Sequence, residues 1–338
     1  MTLDALHRFA QAALGRSLSP GEPMAGGGSD RRYVRFRDGA GSWVGVIAGN
    51  PAETRAFLSF TRHFAAQGIP VPGILSEDAA QGFYLLQDLG PDTLSDRLRA
   101  WRSEPDGAAQ ALAALRTVVR WLPVIQVRGG RGLDFSLCPG GPELGAAAFQ
   151  DDLTLFLTRY VPRFAPAAAP SPAVVSDLAQ LVGRLDAVPR EHFCFRDFQA
   201  RNVMWFQDGP LFLDYQSGRR GPLPYDLVSL LYSPDSGLAE PERQTLVADY
   251  LAALAGQGVR LERAAFTRDF HAFVLVRRLQ ALGAYARIAV EAGKPEYLDK
   301  IPPTLATLRE LLEGGRFAFG LDSLEVWLGE VLGAGAAR

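Results

Sequence analysis

The feature that most constrains this chain is the stretch at residues 193–232, where acidic and amide side chains flank a short apolar hairpin pattern. Asn202 lies five residues after Asp197, and Asp214 lies twelve residues after Asn202. The apolar runs that follow Asn202 and precede Asp214 predict two short strands joined by a turn. The two strands would place Asn202 and Asp214 at adjacent ends of one hairpin, with Asp197 in the loop before it.

These three side chains suit phosphoryl transfer. That reaction needs a nucleophile held in line, metal ions that bridge the phosphates, and cations that offset their charge. Asp197 is the candidate catalytic carboxylate, which must lie within hydrogen-bond reach of an acceptor hydroxyl. Asn202 and Asp214 are the candidate ligands of Mg²⁺, which prefers hard oxygen atoms and takes one or two of them from the protein. Each residue alone could cap a turn or fill a loop position, but the combination indicates a site.

The first 90 residues predict a small antiparallel sheet with one inserted helix. An amphipathic helix is predicted at residues 3–15, and a loop that ends in GGGSD at residues 26–30 then enters a strand. Alternating polarity and turn residues predict strands at residues 31–37, 42–48, 71–76 and 82–86, with the helix at residues 51–67. Because the glycine-rich loop enters a hairpin, it fits neither a Rossmann fingerprint nor a Walker loop, both of which need a helix N-terminus.

From residue 93 onward the pattern is mainly helical. Helical periodicity and capping residues predict helices at residues 93–102, 108–127, 144–163, 172–187, 224–232, 240–256, 263–291 and 303–313. The predicted fold class is therefore α+β. A first lobe at residues 1–90 would contain the sheet, and a larger, mainly helical lobe would occupy residues 91–338.

Composition and charge exclude several classes of protein. A net charge of −2 gives no reason to expect nucleic acid or an anionic membrane as a partner. No apolar run reaches the roughly 18 residues that a membrane-spanning helix needs, and the first helix is amphipathic, unlike a signal peptide. Cys138 and Cys194 are the only cysteines, too few for a disulfide framework or a zinc site. We expect a cytoplasmic protein with no nucleic-acid or membrane partner; the oligomeric state is open, with a monomer as the working expectation.

The central stretch resembles the catalytic segments of the protein-kinase-like phosphotransferases. FRDFQARN is similar to a catalytic loop of the form HRDxxxxN, or HGDxxxxN in aminoglycoside phosphotransferases, and LFLDYQSG is similar to the metal-binding segment that follows it. Across most of the chain, stretches such as GGGSDRRYVRF and GFYLLQDLG resemble the bacterial branch that includes the anomeric kinases of N-acetylmuramate and N-acetylglucosamine. The resemblance implies a bilobal protein-kinase-like fold, ATP and Mg²⁺ as cofactors, and a small-molecule amino sugar bound in the helical lobe.

Two positions depart from the pattern of this family. Phe195 stands where the catalytic loop usually has a histidine that buttresses it, a place that an aromatic ring can fill. Kinases also place a lysine on the third strand, against the α and β phosphates. Here Lys294 and Lys300 are the only lysines, and every other one of the 35 basic residues is an arginine. Arg31 or Arg32, beside the glycine-rich loop, is therefore the candidate for that cation, since a guanidinium suits phosphate oxygens.

The remaining candidate residues come from the same comparison. Gly27, Gly28 and Ser29 of the glycine-rich loop would cover the nucleotide phosphates, and backbone groups at Gln87 and Leu89 would bind adenine. Candidates for the acceptor sugar are carboxylates and fork-shaped donors of the helical lobe. They are Asp151 and Asp152 at the start of a helix, Arg219 and Tyr225 just past the metal-binding segment, and Arg278 on the long C-terminal helix. Charged groups on helix faces are often only solvated, so each of these residues also has a plain structural interpretation.

The leading hypothesis is an ATP-dependent kinase that transfers the γ-phosphoryl group to a sugar hydroxyl. The expected acceptor is the anomeric hydroxyl of an N-acetylated amino sugar, as in cell-wall sugar recycling. Two alternatives stay open. A weakly active or non-catalytic regulator that binds nucleotide or sugar is favoured by the missing lysine and opposed by the intact Asp197, Asn202 and Asp214. A kinase of another small alcohol, an aminoglycoside or a protein would keep the chemistry and change the acceptor.

Overall fold

The computed structural model describes residues 2–24, 31–317 and 319–335. The chain forms two compact units, one containing Met1–Pro142 and Phe195–Arg219, the other Glu143–Cys194 and Arg220–Arg338. The first unit therefore contains the predicted sheet and also the loop and hairpin of the central stretch. The lobe boundary between residues 90 and 91 stays a prediction.

The first unit is built on a five-stranded antiparallel sheet. Its strands are β1 (Glu22–Pro23), β2 (Arg32–Asp38), β3 (Gly41–Ile47), β4 (Ile74–Asp78) and β5 (Phe83–Gln87), in the spatial order β1-β2-β3-β5-β4. The β2–β3 turn is closed by the Asp38 carboxylate, which accepts hydrogen bonds from the N–H groups of Ala40 and Gly41. Helix α1 (Leu3–Leu14) packs on the sheet through Leu6 and Ala10.

Helix α2 (Pro51–Ala66) is the predicted inserted helix. Asn50 caps it by accepting hydrogen bonds from two N–H groups of the first turn, and Pro51 takes the first helical position, where an N–H would lack a partner. The helix ends before Gly68, whose φ of +68° suits glycine. The apolar face of this helix is buried: Ala56, Phe57, Phe60 and Phe64.

The last two strands of the sheet are displaced from their predicted bounds. β4 begins at Ile74 and not at residue 71, because Pro72 has no N–H to donate to a strand ladder. Glu77 and Asp78, which lie beyond the predicted strand at residues 71–76, continue β4 and pair with β5. The polar character of this edge strand made it resemble a turn in sequence.

The first unit continues into two helices and one hairpin. Helices α3 (Leu94–Arg102) and α4 (Gly107–Pro123) follow the sheet, and α4 runs on as a π-helical turn at Val124–Arg128. Strands β7 (Val203–Phe206) and β8 (Gly209–Phe212) form the predicted hairpin. Among the described residues, only the helix at Gly107–Arg128 is long and apolar enough to cross a membrane, which is weak evidence, because core helices pass the same test. Leu115, Val118 and Leu122 of this helix are fully buried in the protein.

The second unit is mainly helical. β6 (His192–Cys194) and β9 (Arg219–Gly221) form a small two-stranded sheet. The helices are α5 (Ala146–Leu155), α6 (Val161–Phe164), α7 (Pro172–Asp186), α8 (Leu223–Leu231), α9 (Glu240–Gly256), α10 (Arg263–Glu291), α11 (Ile301–Glu313) and α12 (Asp322–Gly335). A π-helical segment at Phe156–Tyr160 joins α5 to α6. The predicted α+β class is confirmed, whereas α12 was not predicted.

Helix α10 passes very close to the end of α5. A Cβ atom on Gly283 would lie 2.7 Å from the Leu155 carbonyl carbon and the Phe156 nitrogen, so the crossing admits only glycine. This contact lies where α5 changes to π-helical geometry. The position of α10, which carries Arg278, is thereby fixed against the helix that carries Asp151 and Asp152.

Candidate active site

The loop that contains Asp197 is closed by its own hydrogen bonds. The Asn202 side chain donates through Nδ2 to the Asp197 carbonyl oxygen at 2.8 Å, and the Gln199 N–H donates to the same oxygen at 2.9 Å. Arg196 has a φ of +74°, which non-glycine residues rarely adopt. Among the described residues no hydrogen bond engages the Asp197 carboxylate, so both its oxygens are available to a substrate. Strained backbone of this kind is common at functional sites.

The hairpin brings Asp214 beside Asn202, as the sequence predicts. The Leu213 N–H donates to the Asn202 carbonyl oxygen at 2.9 Å, which aligns the two ends of the hairpin. Asp214 has a φ of +68°, and its Oδ1 accepts a hydrogen bond from Gln216 Nε2 at 2.7 Å. The three predicted chemical residues, Asp197, Asn202 and Asp214, therefore lie on one connected segment of the first unit.

The residues around Asp214 fit a hard divalent cation. Asn202 uses its Nδ2 for the loop, which leaves its Oδ1 as an acceptor. The Asp214 carboxylate uses Oδ1 to accept the hydrogen bond from Gln216, which leaves its Oδ2 as a possible ligand atom. The Gln216 Oε1 is buried and has no hydrogen-bond partner among the described residues. One carboxylate and two amide oxygens are the type of donor that Mg²⁺ prefers.

An aromatic cluster supports the loop where the family has a histidine. The Phe195 side chain is buried and meets Phe198 and Tyr215 edge to face, at ring distances of 5.3 and 5.9 Å. Tyr215 stacks on Phe57 of α2 at 5.5 Å, and its hydroxyl lies 2.6 Å from Thr61 Oγ1. Burial raises the pKa of the Tyr215 hydroxyl, so it stays neutral. The cluster therefore connects α2, the Asp214 segment and the Asp197 loop through packed rings.

Arg31 and Arg32 differ sharply in their surroundings. Arg31 is 5% exposed, and its Nη2 lies 3.0 Å from Glu53 Oε2 in the first turn of α2. Its guanidinium also lies over the ring of Phe57, 5.8 Å from the centroid. Burial acts to lower the Arg31 pKa, but Tyr84, Tyr33 and Asp214 more than offset this, so the pKa is raised and the side chain stays charged. Arg32, in contrast, is exposed.

The segment that follows β5 is tied to β2 by a bidentate ion pair. Arg35 donates to both Asp88 carboxylate oxygens, through Nε at 2.6 Å and Nη2 at 3.0 Å, and Nη2 also reaches the Gly90 carbonyl oxygen. Burial acts to raise the Asp88 pKa, but hydrogen bonds from Arg35, Ser42 and Gly90 lower it overall. The Gln87 N–H is already bonded to the Gly73 carbonyl oxygen. Any adenine contact would therefore use other backbone groups of this segment, which ends in the buried Leu89.

The predicted acceptor residues are spread over both units. Arg219 belongs to the first unit, where its Nη1 donates to the Gly140 carbonyl oxygen. In the second unit Tyr225 is buried, with the Arg277 guanidinium 4.8 Å from its ring centroid. Arg278 is buried and donates to the Tyr232 carbonyl oxygen, at the end of α8; burial lowers the Arg278 pKa to about 10. Arg219 and Arg278 thus both have clear structural roles.

The prediction that Asp151 and Asp152 lie at the start of a helix is wrong. α5 begins at Ala146, so Asp151 and Asp152 occupy its second turn. Asp151 is exposed and Asp152 half-buried. The predicted phosphate-covering residues Gly27, Gly28 and Ser29 lie outside the described residues.

Sequence reasoning missed three polar residues of this region. Glu53 carried no signal of its own, because an acidic residue in the first turn of a helix has a plain stabilising role there. Gln216, two residues after Asp214, carried a usable signal in its short spacing from a candidate ligand. Asp88 had none, since its partner Arg35 is 53 residues away and on another strand.

Comparison with known proteins places this geometry in a family. The model of a family described as "Phosphotransferase enzyme family" matches residues 21–272. The N-acetylmuramate/N-acetylglucosamine kinase of Pseudomonas aeruginosa is 28% identical over 310 residues, covering 86% of this chain and 87% of that protein. The Pseudomonas putida protein of the same name is 30% identical over 290 residues, covering 84% of this chain and 81% of that protein.

The fold has solved counterparts. The crystal structure of a choline kinase from Streptococcus pneumoniae matches with a TM-score of 0.57, covering 99% of each chain at 13% sequence identity. At that identity the match shows the fold alone. It confirms the predicted kinase-like fold.

Proposed function

This chain belongs to the phosphotransferase enzyme family, and on that premise we propose that it transfers the γ-phosphoryl group of ATP to the anomeric hydroxyl of N-acetylmuramate or N-acetylglucosamine. The enzyme class, a kinase acting on an alcohol group, follows from the family and its named relatives. The acceptor follows from the names of those relatives. The observation that carries the proposal is the closed loop in which Asn202 holds the Asp197 backbone beside the Asp214 end of the hairpin.

Asp197 is the residue that we assign to the acceptor hydroxyl. Its carboxylate orients the hydroxyl and accepts its proton as the oxygen attacks the γ-phosphorus. The loop hydrogen bonds from Asn202 and Gln199 fix the Asp197 backbone, so the carboxylate is presented from a rigid turn. Asn202 and Asp214 would hold Mg²⁺, which when bound offsets phosphate charge.

Arg31 is the residue that we assign to the missing third-strand lysine. In protein kinases that lysine pairs with a glutamate of the inserted helix. Arg31 pairs in the same way with Glu53 of α2, while Arg32 is exposed. A buried, permanently charged guanidinium near Asp214 can contact phosphate oxygens, and its second edge remains paired with Glu53. The pair thus supports an active kinase over a non-catalytic regulator.

The remaining assignments complete the proposal. Gly27, Gly28 and Ser29 would cover the phosphates, and backbone groups from Gln87 to Leu89 would bind adenine. Asp151, Asp152, Arg219, Tyr225 and Arg278 remain the acceptor candidates, although Arg219 and Arg278 already make structural bonds. The ATP requirement favours a cytoplasmic enzyme, which we propose to act as a monomer without nucleic-acid or membrane partners.

The acceptor is tested by comparing free sugars with a blocked one. With Mg-ATP, the enzyme should phosphorylate N-acetylmuramate and N-acetylglucosamine, and the products should lose their reducing ends. The methyl glycoside of N-acetylglucosamine, whose anomeric oxygen is blocked, should not react. Phosphorylation of the methyl glycoside at the same rate would contradict the anomeric assignment. Turnover of choline or kanamycin in place of the sugars would support the alternative acceptors.

A further inference from the structure

In the side-chain amide of Gln216, the nitrogen makes a hydrogen bond and the oxygen has no hydrogen-bond partner among the described residues. Its side chain is 6% exposed, and its Nε2 donates to Asp214 Oδ1 at 2.7 Å. A carboxylate that is ionised can only accept, so the amide nitrogen, and not the amide oxygen, must be the atom bonded to Asp214 Oδ1. That oxygen, Oε1, is buried and has no hydrogen-bond partner among the described residues.

A buried amide oxygen without a partner is destabilising, and native proteins satisfy nearly all such groups with protein, water or an ion. The neighbours of Gln216 indicate which of these applies here. Asp214 lies two residues away and is bonded to the same amide, and Asn202 is joined to this segment through Leu213. The segment therefore carries a carboxylate and two amide oxygens, which are ligands of the kind that a hard cation takes.

We propose that Gln216 completes the divalent-cation site. Its Nε2 fixes the Asp214 carboxylate by holding Oδ1, and its Oε1 supplies a further protein oxygen to the cation. This inference rests on the proposed function, because it takes Asp214 as a cation ligand. It goes beyond that function by assigning a ligand and positioning role to a residue outside the Asn202–Asp214 pair.

The low charge of the three proposed donors should make binding of the cation depend on the nucleotide. Among the described residues no group of three or more acidic, histidine or cysteine side chains could hold a metal ion. Asp214 is the single carboxylate among the three proposed donors, Asn202, Asp214 and Gln216, so we expect the nucleotide phosphates to supply most of the remaining negative charge. The protein should bind the cation and the nucleotide tightly when both are present and weakly when either is present alone.

The test measures this coupling without relying on turnover. Isothermal titration calorimetry would give the affinity of the full-length protein for ADP with Mg²⁺ and with EDTA. In the Gln216→Leu variant the tightening of ADP binding by Mg²⁺ should shrink about 10-fold or more, as for other residues that support metal ligands. The matched control is Gln244→Leu, which removes an exposed amide bonded to Glu240 on α9. It should leave the coupling unchanged.

A second variant tests the same site by a gain of binding. Gln216→Glu keeps the size of the side chain and places a second carboxylate beside Asp214. Without nucleotide, Mn²⁺ titrated by electron paramagnetic resonance should bind this variant more tightly than the wild type. Mn²⁺ should also raise its Tm by more, because the ion relieves repulsion between the two carboxylates. This readout stands even if Gln216→Leu fails to fold.

The outcomes separate this inference from the proposed function. If both Gln216 variants keep wild-type coupling and Mn²⁺ affinity while Asp214→Asn loses the coupling, Gln216 contacts only a buried water and the inference is wrong. If Asp214→Asn also keeps the coupling, the cation site itself is wrong, and the proposed function fails with it. Loss in Gln216→Leu together with gain in Gln216→Glu supports the inference.

Discussion

Arg31 is the residue that we propose in place of the lysine that kinases carry on the third strand. The lysine that kinases carry on the third strand has no counterpart in β3, which reads GSWVGVI. Arg31 precedes β2 and forms a buried ion pair with Glu53 of α2. Its guanidinium presents a planar fork of donors and stays charged when buried. The sequence predicted that an arginine must act, but only the three-dimensional packing distinguishes Arg31 from Arg32.

Replacing Arg31 by Met should lower kcat/KM by about 100-fold, as expected when a preorganised cation is lost from a phosphoryl-transfer site. Arg31→Lys should recover only part of this loss, because a compact ammonium lacks the planar fork of donors that the guanidinium presents. Steady-state kinetics with ATP as the varied substrate would measure both. The exposed Arg32→Met variant is the comparison. A large loss in Arg32→Met with wild-type kinetics in Arg31→Met would reverse the assignment.

At the level of elements, the sequence predicted those helices in which apolar residues recur at helical spacing. The bounds of α9 and α10 agree with the predicted residues 240–256 and 263–291. α12 was missed, although Leu324, Trp327, Leu328 and Val331 repeat at helical spacing and are buried. The bidentate bond between Arg35 and Asp88 was beyond sequence reasoning, because two distant polar residues carry no periodic signal.

The Arg35–Asp88 pair should stabilise the connection after β5. Asp88→Asn removes the charge opposite a largely buried guanidinium and should lower the free energy of unfolding by about 3 kcal/mol. Urea denaturation at pH 7 would measure this. The exposed pair Arg37–Glu22 provides the control, since Glu22→Gln should change stability by less than about 1 kcal/mol. Equal stabilities of Asp88→Asn and wild type would contradict this role.

The same pair should contribute to acid sensitivity. The folded pKa of Asp88 is lowered below its usual 3.8, so its contribution is fully present above pH 3.8 and is lost as the pH falls through the folded value. The wild type should therefore lose more stability than Asp88→Asn on acidification through this window. Urea denaturation at a series of acidic pH values would compare the two slopes. Parallel slopes would show that Asp88 does not contribute.

The α10–α5 crossing yields a steric prediction. Gly283→Ala would place a Cβ 2.7 Å from the backbone of Leu155 and Phe156, so α10 must shift. We expect a loss of about 1–3 kcal/mol in the free energy of unfolding, as for other overpacked sites. Gly183→Ala in α7 is the matched control: nothing lies within 4 Å of its added Cβ, and it should be neutral or stabilising by up to about 1 kcal/mol. A neutral Gly283→Ala would contradict the close crossing.

At the level of the whole molecule, the residues that we propose for catalysis and nucleotide binding lie in one compact unit. Asp197, Asn202, Asp214, Arg31 and Glu53 all belong to the first unit, although the chain leaves that unit after residue 142 and returns at residue 195. The sequence motif predicted the reaction because its three residues are close in the chain. The acceptor site could not be predicted in the same way, since its candidates lie on separate elements and several of them are used structurally.

The most direct test of the account is a single-turnover experiment on Asp197→Asn. With [γ-³²P]ATP, Mg²⁺ and N-acetylglucosamine, the wild type should transfer label to the sugar. The variant should be slower by about 1,000-fold or more, because Asn cannot accept the proton of the hydroxyl. Mg-ADP affinity, measured by calorimetry, should be unchanged. Transfer at the wild-type rate in Asp197→Asn would contradict the central claim that Asp197 acts on the acceptor hydroxyl.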